Sequence, residues 1–145
     1  MDKENTKILI TENLAHVDYE SGRYQSMKEH SENVSFMAED SCSLEELKPL
    51  MELIGILHDT GKIGRENQED FQNILEQGDE SHKHGLDHST AGGRLARELI
   101  KEGPVAEFIS TAIYFHHGIG DCISLDNGQS TQQHRNEKEV DYEWI

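Results

Sequence analysis

The stretch ELIGILHDTGK, residues 52–62, carries an apolar run into an adjacent His58–Asp59 pair, which is followed by a glycine and by Lys62. Imidazole and carboxylate groups together form the usual ligand set of first-row transition metals. A His-Asp pair alone is weak evidence because dipeptides recur by chance, but the five-residue pattern His-Asp-x-Gly-Lys is far rarer. The stretch therefore indicates a metal site, provided that other ligands reach the same place.

Histidines recur along the chain at similar intervals. Each of four lies near the end or on the inner face of a predicted helix: His30, His58, His88 and His116. His117 directly follows the last of them, as Asp59 follows His58. Helices whose ends converge could gather these six side chains into one site that holds one or two divalent metal ions.

Four other histidines are weaker candidates: His16, His82, His84 and His134. The two in SHKHG have a spacing that suits ligands, but their polar surroundings favour a loop. Phe71 is assigned to the core rather than to a base-stacking surface. The sequence DHSTAGG, residues 87–93, is expected to serve partly as architecture, with its glycines permitting close helix packing.

The elements that must position these residues are predicted to be helices almost throughout, so the expected fold class is all-α. The first helix places Met27, His30, Val34 and Met37 on one face. The sequence SLEE, residues 43–46, is typical of a capping box, with Ser43 as the N-cap residue. Pro49 fits either a kink or the first position of a second helix that runs to His58.

Three further helices follow in the predicted order. The segment ENQEDFQNILEQGD, residues 66–79, is amphipathic with Phe71, Ile74 and Leu75 inward. Ser89 or Thr90 is expected to cap the next helix, which ends near Gly103. Pro104 opens the last clear helix. The helix that ends near Gly103 is expected to carry an inner stripe of Ala91, Leu95 and Leu99. The inner stripe of the helix that Pro104 opens is expected to consist of Val105, Ile109, Ala112, Ile113 and His116.

Outside these helices the pattern is weaker. KILI, residues 7–10, fits a strand or a docking arm, and no β-hairpin is convincing. The tail after Gly118 is polar and acidic, with no clear apolar stripe. The metal site is therefore expected at the converging ends of a helical bundle.

The length of 145 residues predicts a single domain over residues 1–145. No apolar run of membrane-spanning length occurs, and the first residues lack the apolar segment of a secretory signal. Cys42 and Cys122 are therefore predicted to be reduced thiols. These features predict a cytoplasmic protein with no membrane partner.

The formal net charge is −16, from 13 basic and 29 acidic residues. A stand-alone nucleic-acid-binding protein normally carries a basic footprint. Any polyanionic substrate must therefore be held by bound cations, by a local basic spot or by a partner protein.

Taken together, His30, HDTGK, the later histidines and the closing HHG resemble the HD-domain metal-dependent phosphohydrolases. Longer stretches are similar to the CRISPR-associated HD nuclease, which is the nuclease portion of the type I CRISPR helicase-nuclease. The similar stretches are AHVDYESGRYQSMKEHSENV, FQNIL, DHSTAGG and FHHGIGDCISLD. The resemblance covers roughly residues 14 to 126.

The resemblance implies a helical HD bundle and assigns the ligands. His30, His58 and Asp59 would hold one metal ion. His88, His116 and His117 would hold a second, with Asp59 bridging the two. Manganese, cobalt, nickel or iron is favoured over magnesium, because imidazole ligands suit transition metals.

The resemblance also implies roles outside the ligand set. Asp59 and Lys62 would be catalytic, with Lys62 contacting a phosphate. The alternative for Lys62 is that it only complements the dipole of the helix end. The implied substrate is single-stranded DNA, and the implied partners are a CRISPR helicase moiety and an RNA-guided surveillance complex.

One departure concerns an aspartate that usually completes HD sites from a helix well downstream of the His-His pair. Asp121, Asp126 and Asp141 are the remaining candidates, and none lies in a clear apolar stripe. Either the chain is the front part of a longer protein, or a nearby aspartate substitutes. There is no room here for a helicase domain.

Three alternative functions remain open. The first is an HD phosphohydrolase acting on small nucleotides. The second is a catalytically weak metal-binding scaffold within a CRISPR complex. The third is a metal-free helical interaction domain whose histidines are structural.

Overall fold

The computed structural model describes residues 12–18, 20–77, 87–101, 103–118 and 130–140. The predictions for KILI, His82, His84, Cys122, Asp121, Asp126 and Asp141 lie outside these residues. Within them, Cys42 is a free thiol. None of the described helices is long and apolar enough to cross a membrane.

The described part of the chain is helical, as predicted, apart from one small sheet. Six α-helices follow in order: α1 (Met27–Asp40), α2 (Lys48–Leu57), α3 (Arg65–Gln77), α4 (His88–Ile100), α5 (Pro104–Tyr114) and α6 (Thr131–Glu137). Short 3-10 helices span Glu45–Leu47 and Thr60–Ile63. The chief packed pairs are α1 with α2 and α4 with α5.

A β-hairpin precedes the helices, although no hairpin is convincing in the sequence. Strand β1 (Leu14–Asp18) pairs antiparallel with β2 (Arg23–Ser26). The register shifts between Leu14 and His16, and such a bulge breaks the alternation on which strand prediction depends. The turn closes with Gly22 at φ 67, a left-handed conformation that glycine adopts freely.

Two predicted helix caps were wrong. Leu44, not Ser43, precedes the 3-10 helix Glu45–Leu47, and no side-chain cap forms there. Asp87 caps α4, accepting a hydrogen bond from the Thr90 backbone N–H, while Ser89 and Thr90 are buried within the first turn. Asp87 stands one residue before His88, so its carboxylate satisfies the free N–H groups of the helix start.

Both proline predictions are confirmed. Pro49 lies in the first turn of α2 and Pro104 opens α5. The apolar stripes were only partly correct, because Met37, Leu99 and Val105 are exposed. A period of 3.6 identifies an apolar face but not how far a neighbouring helix covers it.

The apolar core is formed by helices α2, α4 and α5. Its fully buried members are Leu57, Ala96, Ile109 and Ile113. Partly buried side chains surround them: Leu50, Leu53, Ile54 and Ile100. This core holds the C-terminal end of α2, and therefore His58 and Asp59, against α4 and α5.

Helix α6 was not predicted from the polar tail. Ser130 forms a capping box with Gln133, and the α6 side chains then bond to earlier parts of the chain. Tyr114 donates a hydrogen bond to Asn136 Oδ1 at 2.8 Å, and Gln132 donates to Thr111 Oγ1 at 2.6 Å. The helix is attached mainly by polar contacts, which leave no apolar stripe in the sequence.

Close helix contacts depend on glycines, as predicted for DHSTAGG. A Cβ at Gly93 would collide with the Tyr114 ring, and a Cβ at Gly55 would meet Ser35 Cα at 2.5 Å. These glycines set the distances between α4 and α5 and between α2 and α1.

Gly55→Ala should destabilise the protein by about 2 kcal/mol, because overpacking of a tight contact costs typically about 1–3 kcal/mol. Helix propensity alone would predict the opposite sign, a gain of about 1 kcal/mol. Gly118→Ala is the matched control, since a Cβ at Gly118 would have nothing within 4 Å. Urea unfolding of both variants measures the difference, and equal midpoints would contradict the close α1–α2 contact.

Candidate metal centre

The carboxylate of Asp59 lies at the centre of the histidine cluster and is 2% exposed. It follows His58, the C-cap residue of α2. Its Oδ2 atom lies 3.1 Å from His30 Nε2, 3.3 Å from His58 Nε2 and 2.7 Å from Lys62 Nζ. One oxygen therefore faces the α1 and α2 side of the site.

The other oxygen of Asp59 faces the α4 and α5 side. Its Oδ1 atom lies 3.2 Å from His116 Nε2 and 3.4 Å from His88 Nε2. His117 Nε2 lies 2.8 Å from His88 Nε2. The structure thus brings together the six side chains singled out in the sequence, and it divides them between two carboxylate oxygens.

Backbone carbonyls fix the tautomer of two of these imidazoles. His58 Nδ1 lies 2.7 Å from Gly55 O, and His116 Nδ1 lies 2.7 Å from Ile113 O. A carbonyl oxygen only accepts, so each Nδ1 must carry the proton. Both Nε2 atoms then present lone pairs toward Asp59 when the rings are neutral. Outer hydrogen bonds of this kind orient metal-ligating histidines.

A third imidazole has the same arrangement. His30 Nδ1 lies 3.1 Å from Gln25 Oε1, and its Nε2 lies 3.2 Å from His58 Nε2. With a proton on each Nδ1, these two Nε2 atoms cannot hydrogen-bond to each other. The pair could therefore share a cation rather than a proton.

The donor set passes a direct test of fit for a metal. Asp59 Oδ1 and His116 Nε2 are buried and make no hydrogen bond in the described part of the chain. Buried polar atoms are normally satisfied, and their absence of partners is explained by an ion. The ligand atoms of Asp59, His88, His116 and His117 all lie within 4.8 Å of one another, so these residues could hold a divalent ion.

Electrostatics keep the central carboxylate ionised. Burial alone would raise the pKa of Asp59, but the neighbouring imidazoles of His116 and His58 and the ammonium of Lys62 outweigh it and hold the pKa well below its usual range. The anion is therefore present at every physiological pH. A carboxylate whose two oxygens face two groups of imidazoles could serve a pair of cations.

The histidines themselves fall into two classes. Burial lowers the pKa of His88 to about 4, and burial also lowers the pKa values of His30 and His117. Burial opposes protonation of His58 as well, but the hydrogen bond and charge of Asp59 prevail and raise its pKa. Most of the ligands are thus neutral near pH 7, as metal binding requires.

Lys62 is buried rather than exposed beyond a helix end. Its ammonium bonds to Asp59 Oδ2 and to Ala15 O at 3.2 Å. The lysine therefore compensates the buried carboxylate, a role that sequence reasoning did not assign. Its contact with a substrate phosphate stays a prediction.

Two weaker candidates have different outcomes. His16 joins the site: its ring lies edge-on to His30, with centroids 4.6 Å apart, and its ligand atom falls within 4.8 Å of those of His30 and Asp59. His134 is exposed on α6. His16 could have been predicted from its position on a hairpin strand shortly before α1. That prediction would have required the hairpin itself to be recognised in the sequence.

The glycine of the HDTGK motif is needed for a close approach. A Cβ at Gly61 would overlap the backbone carbonyl of His88. The backbone of the motif thus touches the first residue of α4, which sets the spacing between Asp59 and His88. Phe71, by contrast, is half-buried on α3, in keeping with its assigned core role.

The comparison with known protein families gives one match. Residues 27–140 match the family model described as HD domain. The matched range begins with α1 and includes all six cluster residues. Neither the curated proteins nor the solved structures contain a match to the chain.

Lys62→Met should lower the free energy of unfolding of the metal-free protein by about 3 kcal/mol or more, because it leaves a buried charge without its partner. Lys48→Met is the matched control, since Lys48 pairs with the exposed Glu45, and such a pair contributes about 0–1 kcal/mol. Thermal unfolding of both variants, with and without Mn²⁺, measures the difference.

The decrease in the free energy of unfolding caused by Lys62→Met should be smaller when Mn²⁺ is present, since a bound cation compensates part of the Asp59 charge. Equal melting temperatures for the two lysine variants without metal would contradict the compensating role of Lys62.

Proposed function

We propose that this chain, which belongs to the HD-domain family, hydrolyses phosphodiester bonds of single-stranded DNA with one or two divalent metal ions. The family match covers residues 27–140, and HD-domain proteins are metal-dependent phosphohydrolases. The observation that carries the proposal is the set of four imidazole Nε2 atoms that lie 3.1 to 3.4 Å from the two oxygens of the buried Asp59.

The residues present would hold the metal in two groups. His30, His58 and Asp59 form the first, and Asp59 with His88, His116 and His117 forms the second. A divalent ion bound here supplies charge neutralisation of phosphoryl oxygens and lowers the pKa of a water molecule.

The chain's own groups prepare that chemistry. Gly55 and Ile113 carbonyls orient the rings of His58 and His116, so the ligands need little rearrangement. Lys62 keeps Asp59 ionised and fixed in position. His117 is exposed, so substrate can reach the site from its side.

Among the described residues, three basic side chains near the site are already engaged. Arg135 and Lys138 pair with Asp87, and Lys62 pairs with Asp59. They therefore offer little free positive charge for a phosphate chain. Bound metal ions, and a partner that presents the strand, would have to supply the attraction that a net charge of −16 opposes.

The choice of single-stranded DNA rests on the similarity of DHSTAGG and FHHGIGDCISLD to the CRISPR-associated nuclease. The same similarity is the basis for the proposed partners, a helicase moiety and an RNA-guided surveillance complex. A strand delivered by such a partner does not require a basic track on this chain, so the acidic charge is compatible with the proposal.

The second candidate is hydrolysis of small nucleotides, and the net charge favours it. A compact substrate needs no basic track, because contacts to one or two phosphates can all be made at the site. The third possibility, a catalytically weak metal-binding scaffold, would bind the ions with little or no turnover of either kind of substrate.

A substrate panel distinguishes these candidates. The metal-stripped protein is reloaded with Mn²⁺ and assayed on single-stranded DNA, duplex DNA and nucleotides. We expect cleavage of the single strand, with His117→Ala reducing it by at least about tenfold because a metal ligand is lost. His134→Ala is the matched control and should leave the rate unchanged. Hydrolysis of nucleotides alone would favour the second candidate, and metal binding without turnover would favour the scaffold.

Metal preference gives a separate prediction. Manganese, cobalt or nickel should support at least about tenfold faster cleavage than magnesium at equal concentration, since imidazoles suit transition metals while magnesium favours oxygen ligands. Rates with each ion, after removal of residual metal, check this. Equal rates with magnesium would argue against a histidine-based catalytic site.

Metal affinity should also depend on pH in a defined direction. Because the pKa of His58 is raised, binding of a metal ion displaces a proton from this ring at mildly acidic pH. His88 has a pKa of about 4, so it is neutral in the same range and has no proton to displace. As pH falls, protons on the histidines compete with Mn²⁺, so its dissociation constant should rise, by about tenfold per pH unit for each displaced proton. Calorimetric titration between about pH 7 and pH 5 measures this. An unchanged affinity across that range would show that no ligand proton competes.

A further inference from the structure

The β-hairpin lies before the region that matches the HD-domain family, which begins at residue 27. It nevertheless reaches the metal centre through His16. The remaining question is whether the hairpin only covers the site or contributes to it.

Strand β1 is held firmly where it approaches the site. Gln68 of α3 bonds to both backbone groups of Leu14, accepting from its N–H at 2.7 Å and donating to its carbonyl at 2.8 Å. Lys62 donates to the next carbonyl, that of Ala15. Leu14 and Ala15 are buried, so His16 extends from an anchored backbone.

The bulge determines where His16 is placed. The register shift leaves Ala15 as the extra residue of β1, so its carbonyl is available to Lys62. After the shift, His16 pairs with Gln25 across the hairpin. Bulges re-aim side chains in this way beside functional sites.

Both members of that cross-strand pair contact His30. Gln25 accepts at 3.1 Å from His30 Nδ1, and the His16 ring lies edge-on to the His30 ring at 4.6 Å between centroids. The hairpin therefore orients one metal ligand, His30, and places a second imidazole beside it. Ligand atoms of His16, His30 and Asp59 all fall within 4.8 Å of one another.

We propose that His16 is a ligand of the metal ion on the His30 side, so that His16, His30, His58 and Asp59 share that ion. This inference rests on the proposed function. It gives the His30 side four protein ligands, matching the four on the other side, where His88, His116 and His117 join Asp59. The hairpin is then part of the metal centre rather than a cover.

The competing explanation is that the His16 ring only packs against His30. Two substitutions separate packing from ligation. His16→Phe keeps a ring of similar shape but has no ligand atom, whereas His16→Asp loses the ring but keeps a ligand. His16 is exposed, so neither change should unfold the protein, and circular dichroism verifies this.

Cobalt titration, followed by visible absorption and calorimetry, provides a readout that does not require turnover. The wild-type protein should bind two Co²⁺ ions. His16→Phe should weaken one of them by at least about tenfold, while His16→Asp should retain two ions. His134→Phe is the matched control and should titrate like the wild type.

A His88→Ala background assigns the affected ion. That change weakens the second site, so the ion that remains is on the His30 side, and adding His16→Phe should weaken it by at least about tenfold. If His16→Phe titrates like the wild type in both backgrounds, His16 only packs and the inference is overturned while the proposed function stands. If the wild-type protein binds no Co²⁺, both are overturned.

Discussion

The buried negative charge of Asp59 is the constraint on which the rest of the structure depends. Removing a carboxylate from water costs several kcal/mol, so the fold must supply compensating groups. Lys62 supplies one at Oδ2, but Oδ1 faces imidazole nitrogens and makes no hydrogen bond within the described residues. Lys62 and the surrounding imidazoles therefore supply the compensation within the chain, and a bound divalent cation would add to it.

The architecture serves that constraint by controlling distances. Helix α2 ends at the site, and the backbone of the motif meets α4 directly at Gly61. The Gly93–Tyr114 contact holds α5 close to α4, so His116, which follows α5, lies beside Asp59. Because these are contacts of backbone and rigid rings, the ligand spacing cannot relax when a flexible side chain changes its rotamer.

The sequence predicted helices α1 to α5 and the six clustered residues, because HDTGK is a rare local pattern, apolar periodicity is strong in α3 and α4, and α2 and α5 are rich in apolar residues. Other features could not be seen. The hairpin has strands of five and four residues interrupted by a bulge, so no alternation reveals it. Helix α6 is attached by polar bonds that carry no periodicity. The partner of Lys62 depends on tertiary contacts, since Ala15 is 47 residues away along the chain.

The polar attachment of α6 makes one edge of the centre sensitive to ionic strength. Arg135 and Lys138 pair with Asp87, the cap of α4, at partly exposed positions. Such pairs are screened by salt over a Debye length of about 8 Å at physiological ionic strength. The α1–α2 side is instead held by close helix packing, which salt affects little. Rising salt thus weakens the pairs that join α6 to Asp87, while the close contacts at Gly61 and Gly93 keep His88 and His116 in place.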